Sequence, residues 1–307
     1  MAHRCDVIGV GIASWDTIGI VSRAPLMGAK QPLAGWIEAG GGPVPTALVT
    51  LQRLGMRGGL VSAVGDDRYG QHILDDLRRE GVEIESVQVR PGQSHVAFAL
   101  VEPDTGRRTI WWHNDRAVLQ HIALDRAYLT TARALLLDTH IPEVALRAAH
   151  WMREANRLVM IDAERTSDQA TALLPFCDAI IVSERFGREA TGAEEPQQAA
   201  QALYEHYHAL VVVTAGEQGS WCASRAGAFH TPAVTTVQVV DTTGAGDVFH
   251  GAFLYGLLQA WPLRVVARFA SATAALKCRT FGGRAGIPCL DEVEALVRTE
   301  APTGGGE

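Results

Sequence analysis

The sequence predicts an α/β fold in which helices cover both faces of a mostly parallel sheet. Short apolar runs rich in β-branched residues alternate with longer segments of helical periodicity along most of the chain. The run Val211-Val212-Val213 is apolar at every position, as a strand covered on both faces requires. Several helical segments also end directly before a glycine, which is typical of a helix C-terminus.

Six apolar runs are the predicted core strands: residues 6–11, 59–63, 134–138, 158–162, 179–183 and 209–214. Two of the helices between them have clear boundaries. Residues 43–54 have proline in the first turn and stop before Gly55, and residues 70–80 stop before Gly81. The chain of 307 residues is long enough to bury a sizeable core in this arrangement.

One segment departs from the strand-helix alternation. Residues 95–101 and 108–112 are extended in character and flank the turn sequence Pro103-Asp104-Thr105-Gly106, which predicts a β-hairpin. With extended pieces at 17–21 and 33–38, the hairpin forms a small separate sheet in one interpretation. In the other interpretation it extends the edge of the main sheet.

Composition excludes several classes of protein. The net charge is −7, from 27 Lys and Arg against 34 Asp and Glu, and no basic cluster is present, which argues against nucleic acid as a partner. No apolar run approaches about 18 residues and residues 1–6 do not resemble a signal peptide, so we expect a cytoplasmic protein without a membrane span. Five scattered cysteines without a CxxC pair predict reduced thiols and no zinc.

The most informative motif is VDTTGAGDVFHGAF at residues 240–253. Gly244 and Gly246 allow the backbone to approach an anion, and the free amides of a first helical turn point toward it. Asp247 then lies beside the anion, where a carboxylate can accept the proton of an attacking hydroxyl. The motif predicts phosphoryl transfer with Asp247 as base and Gly244, Ala245 and Gly246 as the anion hole. A glycine turn that merely caps a helix is the structural alternative.

With Asp241, Thr242 and Thr243 before the turn and small residues after it, this string resembles the C-terminal signature of the PfkB, or ribokinase, family of carbohydrate kinases. The resemblance implies a ribokinase-like domain over residues 1–300, with lid segments at about 13–39 and 92–115 and a flexible tail at 301–307. It implies ATP and Mg²⁺ as cofactors, with K⁺ as an optional third ion. It also implies that the lid covers the sugar and joins two copies as a homodimer.

Further motifs match elements of the same family. GGGPVPTA at residues 40–47 resembles the sugar-binding glycine motif, although Thr46 stands where the family usually has Asn. The sugar-binding residues implied by the resemblance are Asp16, Lys30, Gly41, Gly42, Thr46, Trp112, His140 and Asp247. The implied nucleotide-binding residues are Thr214, Gly216, Gly219, Thr243, Gly244, Gly246 and Gly282. Asp241 and Thr243 are the implied neighbours of a monovalent cation.

Two matches have structural interpretations. In VGDDRYG at residues 64–70, Asp67 is predicted to cap the following helix. Ser183 and Phe186 replace both signature residues of the family's NxxE motif, which orders water around magnesium. Glu184, Glu189 and Asp162 are alternative carboxylates for the shell of the metal, and we favour solvated helix-end carboxylates as their interpretation.

The motifs at 40–46, 240–253 and 277–288 look most like the sulfofructose kinase branch of the family. Lys30 falls at that branch's sulfonate-binding lysine, whereas Trp112 and His140 stand where an Asn and an Arg would be. Because neither side chain reproduces the two charge-assisted hydrogen bonds of an Arg, a neutral ketohexose stays open beside sulfofructose.

Two sequence signatures of other nucleotide-binding enzymes are missing. No GxxxxGK[ST] sequence occurs, and Gly9-Val10-Gly11 lacks the third glycine of a dinucleotide fingerprint. We therefore predict ATP-dependent phosphorylation of a primary hydroxyl of a sugar. The alternatives are a related kinase acting on a sugar phosphate or a nucleoside, with Lys30, Arg107 and Arg108 as candidate phosphate-binding cations, and a sugar-sensing homologue with little turnover.

Overall fold

The computed structural model describes residues 5–23, 25–26, 28, 30–102 and 107–300. The predicted turn at 103–106 and the predicted tail at 301–307 lie outside the described residues. Thirteen strands occur in the described part of the chain: β1 Val7–Val10, β2 Ser14–Ile20, β3 Gly35–Gly41, β4 Gly58–Gly65, β5 Val87–Arg90, β6 His95–Glu102, β7 Arg107–His113, β8 Ala134–Leu137, β9 Leu158–Ala163, β10 Ala179–Ser183, β11 Leu210–Thr214, β12 Ser220–Ser224 and β13 Gly227–Thr231.

The same residues form eleven α-helices: α1 Pro43–Arg53, α2 Arg68–Arg79, α3 Arg116–Leu119, α4 Arg126–Leu129, α5 Pro142–Glu154, α6 Asp168–Leu173, α7 Glu184–Thr191, α8 Pro196–Tyr207, α9 Ala245–Leu258, α10 Leu263–Lys277 and α11 Leu290–Thr299. Two short 3₁₀ helices cover Leu174–Phe176 and Gly216–Gln218.

The large sheet has nine strands in the order β13-β12-β11-β10-β9-β8-β1-β4-β5. The strands from β11 through β5 pair in parallel, and β12 and β13 add an antiparallel edge. All six predicted core strands lie in this sheet. The α/β fold class predicted from the sequence is therefore confirmed.

Helices cover both faces of the large sheet because the strand side chains alternate between two apolar clusters. Leu136 packs in the cluster formed with α1, α2, α9, α10 and α11. Leu135 and Leu137 pack in the cluster formed with α3 to α8. Adjacent strand side chains point to opposite faces, so a run of three leucines supplies both clusters.

Local capping explains where α2 begins. Asp67 precedes the helix, and its Oδ1 accepts a hydrogen bond from the Gly70 amide at 2.8 Å and from the Ser94 hydroxyl at 2.6 Å. These bonds lower the pKa of Asp67 although burial acts in the opposite direction. The structural interpretation of Asp67 as a helix cap is confirmed.

Strands β2, β3, β6 and β7 form a separate four-stranded sheet in the order β3-β2-β6-β7. The hairpin of β6 and β7 is antiparallel, whereas β2 pairs with β6 in parallel. The predicted small second sheet is thus confirmed, and the edge extension of the main sheet is wrong. One register row joins Asp16, Ala97 and Trp112, so these side chains share one face.

The carboxyl ends of the parallel strands meet at one edge of the large sheet. Polar residues follow several of these ends: Asp138 follows β8, Asp162 lies near the end of β9, and Thr214 ends β11. Ligands of open α/β sheets bind outside this edge. The candidate site is therefore expected at this edge of the large sheet, near β2 and the start of α9.

Candidate active site

The glycine turn before α9 has the conformation that its sequence predicts. Gly244 caps the helix with φ 76°, a left-handed conformation that favours glycine. A Cβ atom at Gly244 would lie 2.8 Å from the Gly283 carbonyl oxygen, whereas no atom lies within 4 Å of a Cβ built on Gly246. The turn is therefore packed against Gly283 at Gly244 and open to its surroundings at Gly246. The Ala245 amide donates to the Thr242 carbonyl at 3.1 Å. The amides of Gly246 and Asp247 follow it in the first turn, where the helix supplies no carbonyl four residues earlier to bind.

Asp247 lies in that first turn of α9. Burial raises the pKa of Asp247 above its ordinary value, and the charge of His250 is the main opposing influence. Arg108 and Arg284 act in the same direction as His250. A carboxylate with a raised pKa at the positive end of a helix is suited to accept a proton.

Asp241 holds the backbone on which the turn rests. Its Oδ1 accepts hydrogen bonds from the amide and hydroxyl of Thr243 at 2.9 and 2.7 Å, and its Oδ2 accepts from the Gly282 amide at 2.8 Å. The fully buried Lys277 donates to the Asp241 carbonyl at 3.0 Å. The structure thus brings together Asp241, Thr243, Gly244 and Gly282, as predicted, and adds a buried ammonium beneath them.

Asp16 lies on β2, and its Oδ1 accepts a hydrogen bond from the Ser14 hydroxyl at 2.7 Å. Burial raises the pKa of Asp16 to about 6, and the charge of Asp247 contributes to this rise. A Cβ at Gly41 would lie 2.1 Å from Asp16 Oδ2, so only glycine fits beside this carboxylate. Gly42 follows with φ 93° and caps α1.

Arg284 connects this group to the rest of the fold. Its side chain is 5% exposed and donates to Asp76 Oδ2 at 2.7 Å, to the Gly41 carbonyl at 2.6 Å and to the Thr46 hydroxyl at 3.3 Å. Thr46 is itself buried, so its hydroxyl is occupied by the protein. Thr46, which was predicted to bind the sugar, thus accepts a hydrogen bond from Arg284. Arg284 in turn binds the glycine turn before α1 through the Gly41 carbonyl.

The small sheet adds two side chains on the face that carries Asp16. Trp112 is 64% exposed on β7, and its ring centroid lies 5.9 Å from that of His95. Arg108, also on β7, donates to the Thr242 hydroxyl at 2.6 Å. This hydrogen bond links the small sheet to the glycine turn.

His140 follows β8 beside the buried Asp138. Asp138 Oδ1 accepts the His140 amide at 2.9 Å, and His140 Nδ1 lies 3.4 Å from the same oxygen. Burial would lower the pKa of His140, but the charge of Asp138 outweighs it and the pKa is raised. Burial and the charge of His140 lower the pKa of the neighbouring His95 to about 4. The pair of imidazoles therefore includes one neutral donor or acceptor and one group that favours its charged form.

The predicted nucleotide loop follows β11. Thr214 donates to the Val182 carbonyl at 3.3 Å, and Gly216 and Gly219 have positive φ values of 53° and 86°. A Cβ at Gly219 would lie 2.1 Å from the Thr231 carbonyl oxygen. A pocket of about 250 Å³ begins at this point and is lined by Thr231, Pro232, Ala233, Val234, Arg268, Ser271, Ala272, Val297 and Glu300.

Several predicted residues lie outside these groups. Lys30 is exposed in the connection between β2 and β3. Phe186 is fully buried, and the Ser183 hydroxyl caps α7 by accepting the Phe186 amide at 3.1 Å. Glu184 and Glu189 pair with Arg188 and Arg185 at 2.6 and 2.8 Å. No group of three or more His, Cys, Asp or Glu side chains fit to hold a metal occurs among the described residues.

Sequence reasoning missed the roles of Arg284, Asp138 and Arg108. Arg284 lies in the apolar, glycine-rich run from 282 to 288, where a lone Arg is a signal of a buried ion pair. Asp138 directly follows three leucines of a strand, as Asp16 follows an extended run. Arg108 offered no local signal, because its partner Thr242 lies 134 residues away.

A family model for the pfkB family of carbohydrate kinases matches residues 6–289. The chain belongs to this family. It is 27% identical over 319 residues to the 5-dehydro-2-deoxygluconokinase of Shouchella clausii, with 96% of both chains covered. It is 26% identical over 292 residues to the ribokinase of Lactococcus lactis, with 94% of this chain and 96% of the relative covered.

Solved structures share the fold of this pfkB kinase. A protein from Agrobacterium tumefaciens, provisionally described as a ribokinase, superposes with a TM-score of 0.91 at 29% identity, covering 96% of this chain and 98% of the other. The ribokinase of Arabidopsis thaliana complexed with ribose and ATP superposes with a TM-score of 0.83 at 23% identity, covering 96% and 99%. The predicted ribokinase-like fold is confirmed. In the described part of the kinase, every helix is too short or too polar to cross a membrane.

Proposed function

We propose that this pfkB sugar kinase transfers the γ-phosphate of ATP to a primary hydroxyl of a small sugar. The observation that carries the proposal is the position of Asp247 in the first turn of α9, directly after an open glycine turn. Asp247 accepts the proton of the attacking hydroxyl. The amides of Gly244 and Gly246 stabilise the charge that develops on the transferred phosphoryl group. The Ala245 amide, which was predicted to join them, donates instead to the Thr242 carbonyl and holds the turn in place.

The acceptor sugar binds on the face of the small sheet that carries Asp16 and Trp112. The Asp16 carboxylate accepts hydrogen bonds from adjacent hydroxyls, with Gly41 and Gly42 allowing close approach of the backbone. Trp112 offers an exposed indole for the apolar face of a sugar ring, and His140 offers a cationic donor near it. This set of side chains is suited to a ketohexose or a 6-substituted ketose.

The sulfofructose branch stays a prediction because its sulfonate-binding side chains differ here at Trp112 and His140. Lys30 is exposed and lies before β3, where a long side chain can reach a charged substituent. The relatives add ribose and 5-dehydro-2-deoxygluconate to the acceptors that a substrate panel should contain. Fructose, sulfofructose and fructose phosphates complete that panel.

The nucleotide lies between the glycine turn and the pocket lined by Ser271 and Ala272. Both residues are on α10, the helix that ends at Lys277 beneath the turn, and six residues of helix span about 9 Å. This length is appropriate for a nucleotide whose base occupies the pocket and whose phosphates reach Gly244. Thr214, Gly216, Gly219, Thr243 and Gly282 border the same path.

Magnesium accompanies ATP in this proposal, although the side chains at its predicted protein site do not fit it. Phe186 is apolar and buried, and Glu184 and Glu189 are occupied by arginines. We assign the ion to the nucleotide phosphates and water, which is a common mode of Mg²⁺ binding. Potassium beside Asp241 and Thr243 stays a prediction, to be tested by comparing rates in K⁺ and tetramethylammonium buffers.

The small sheet acts as a lid over the sugar, inserted into a kinase domain of residues 1–300 at about 13–39 and 92–115. Its outer face exposes Trp36, Phe98 and Trp111 at 64%, 43% and 51%. We assign this apolar face to a homodimer contact between two lids, to be tested by sedimentation of Trp111→Glu. The cytoplasmic location expected from the sequence stays a prediction that cell fractionation would test.

Steady-state ADP release with the substrate panel tests the proposed function. We expect one sugar to raise ADP release far above the rate without sugar, and Asp247→Asn to reduce that rate by about 10³-fold or more. NMR of the product would locate the phosphate on a primary hydroxyl. If no sugar stimulates ADP release and Asp247→Asn changes nothing, the protein is a binding homologue and the proposal is wrong.

A further inference from the structure

A buried histidine lies one turn below Asp247. His250 is on α9, four residues after Gly246, and is 4% exposed. Its Nδ1 lies 2.6 Å from the Gly246 carbonyl oxygen. Its Nε2 lies 3.2 Å from the Ile181 carbonyl oxygen on β10 and 3.3 Å from Asp162 Oδ1 on β9. Each ring nitrogen therefore faces an oxygen, and of these three partners Gly246 is the one among the predicted site residues.

The two carbonyl contacts determine which protonation state the geometry favours. A carbonyl oxygen only accepts hydrogen bonds, so both contacts are hydrogen bonds only when Nδ1 and Nε2 each carry a proton. A neutral imidazole carries one proton and would direct a lone pair at one of these oxygens. The doubly protonated ring satisfies both, and Asp162 supplies the opposite charge beside Nε2.

Asp247 is a partly buried carboxylate, and a nearby cation would favour its ionised form. A carboxylate that is withdrawn from water favours its protonated form, in which it cannot act as a base. Burial raises the pKa of Asp247, and His250 is the strongest opposing charge. Burial also raises the pKa of Asp162 to about 7, with His250 again opposing and Asp247 adding to the rise.

We propose that the Asp162–His250 pair is a positioning and charge-setting device for the catalytic base. The His250 imidazolium keeps Asp247 ionised, and its hydrogen bond to the Gly246 carbonyl fixes the first turn of α9. Asp162 lies 3.3 Å from Nε2 and holds the ring in this position. This inference rests on the proposed function, in which Asp247 accepts the proton of the acceptor hydroxyl.

Other charged groups on several elements lie around Asp162, His250 and Asp247 and contribute to the electrostatic potential at these residues. They are Glu164 after β9, Asp138 after β8, Asp16 on β2, Arg108 on β7, Lys277 at the end of α10 and Arg284 in the loop that follows. Of all these groups, His250 makes direct contacts with both Asp162 and the backbone of the glycine turn. It is therefore the group whose removal acts most directly on Asp247.

The first test is the pH profile of His250→Asn, which removes the charge but retains a polar side chain. Loss of the cation raises the pKa of Asp247, so we expect the acidic limb of kcat/KM to move up by about one pH unit. On the acidic limb, below both pKa values, the variant should therefore lose about tenfold more activity than at pH 9. His206→Asn, which alters an exposed histidine on α8, is the matched control and should leave the profile unchanged.

A merely structural role for His250 would lower kcat/KM equally at every pH. That result in a variant with a normal thermal unfolding curve would overturn the proposal. An unchanged acidic limb would overturn it as well.

The second test does not depend on turnover. In ¹⁵N NMR spectra of the imidazole side chains, the His250 signals are those that His250→Asn removes from the set of 11 histidines. We expect the wild-type ring to be doubly protonated at pH 7 and the ring in Asp162→Asn to be neutral at that pH. A neutral His250 in the wild type would refute the proposal, whereas failure of every sugar in the ADP assay would refute only the proposed function.

Discussion

Arg284 and Thr46 are joined by a hydrogen bond of 3.3 Å between residues that lie 238 positions apart. The same guanidinium neutralises Asp76 and donates to the Gly41 carbonyl. Arg284 thereby joins the glycine turn before α1 to the loop after α10. That loop also packs against the glycine turn before α9, so Arg284 connects the proposed sugar-binding residues to that second turn. The residue at position 46 contributes to the site through this bond.

Arg284→Met should destabilise the protein by about 3 kcal/mol, because Asp76 would keep a buried charge without its main partner. Arg79→Met is the matched control. Arg79 also pairs with Asp76, at 3.1 Å, but is 70% exposed, so we expect a cost of under about 1 kcal/mol. Urea unfolding at pH 7 measures both values. Equal losses in the two variants would contradict the assigned role of Arg284.

Asp16→Asn should stabilise the protein while it weakens sugar binding. Burial raises the folded-state pKa of Asp16 to about 6, above the ordinary value of 3.8, so the native state binds a proton that the unfolded state releases. Wild-type stability is therefore lost as the pH rises from about 4 to 6. We expect little difference between Asp16→Asn and the wild type at pH 4 and a gain of about 3 kcal/mol for the variant above pH 7. Thermal unfolding across this range tests the sign, and a gain at pH 4 would contradict it.

Gly244→Ala should abolish most activity because the new Cβ would press on the Gly283 backbone and displace the turn. Removing a single preorganised donor from such a turn reduces kcat by about 10² to 10³. Gly192→Ala is the control, since Gly192 has a similar φ of 73° with no atom within 4 Å of the Cβ. It should cost about 1 kcal/mol in stability and leave kcat intact. Comparable kcat values for the two variants would argue against an anion hole at Gly244.

Trp112→Ala should raise the KM for the sugar about tenfold with little change in kcat, since a stacking contact acts in the ground and transition states alike. Trp111 is the natural comparison because it points to the opposite face of β7. Trp111→Ala should leave the KM unchanged and weaken the proposed dimer. Kinetics with the preferred sugar test this assignment, and an equal rise in KM for both variants would contradict it.

Local patterns in the sequence were sufficient for the sheet strands, the cap at Asp67 and the glycine turn with Asp247. Each depends on residues close together in the chain, such as an apolar run or a glycine that must adopt a positive φ. Local patterns gave no indication of the contacts of Phe186 and Thr46. Both positions were compared with a family motif, but the contacts of each side chain depend on distant elements.

The sequence alone determined the fold class and was sufficient to predict the residues that handle the phosphoryl group, because strand alternation, helix ends and the DTTGAGD turn lie in consecutive residues. Only the tertiary structure revealed the Arg284 bridge, the row that joins Asp16 to Trp112, and the pairing of Asp162 with His250. These contacts follow from strand order and register, which bring together residues 88 or more positions apart. No local periodicity encodes that order, so the acceptor side of the site and the charge around Asp247 emerge only when the two sheets and their helices are assembled.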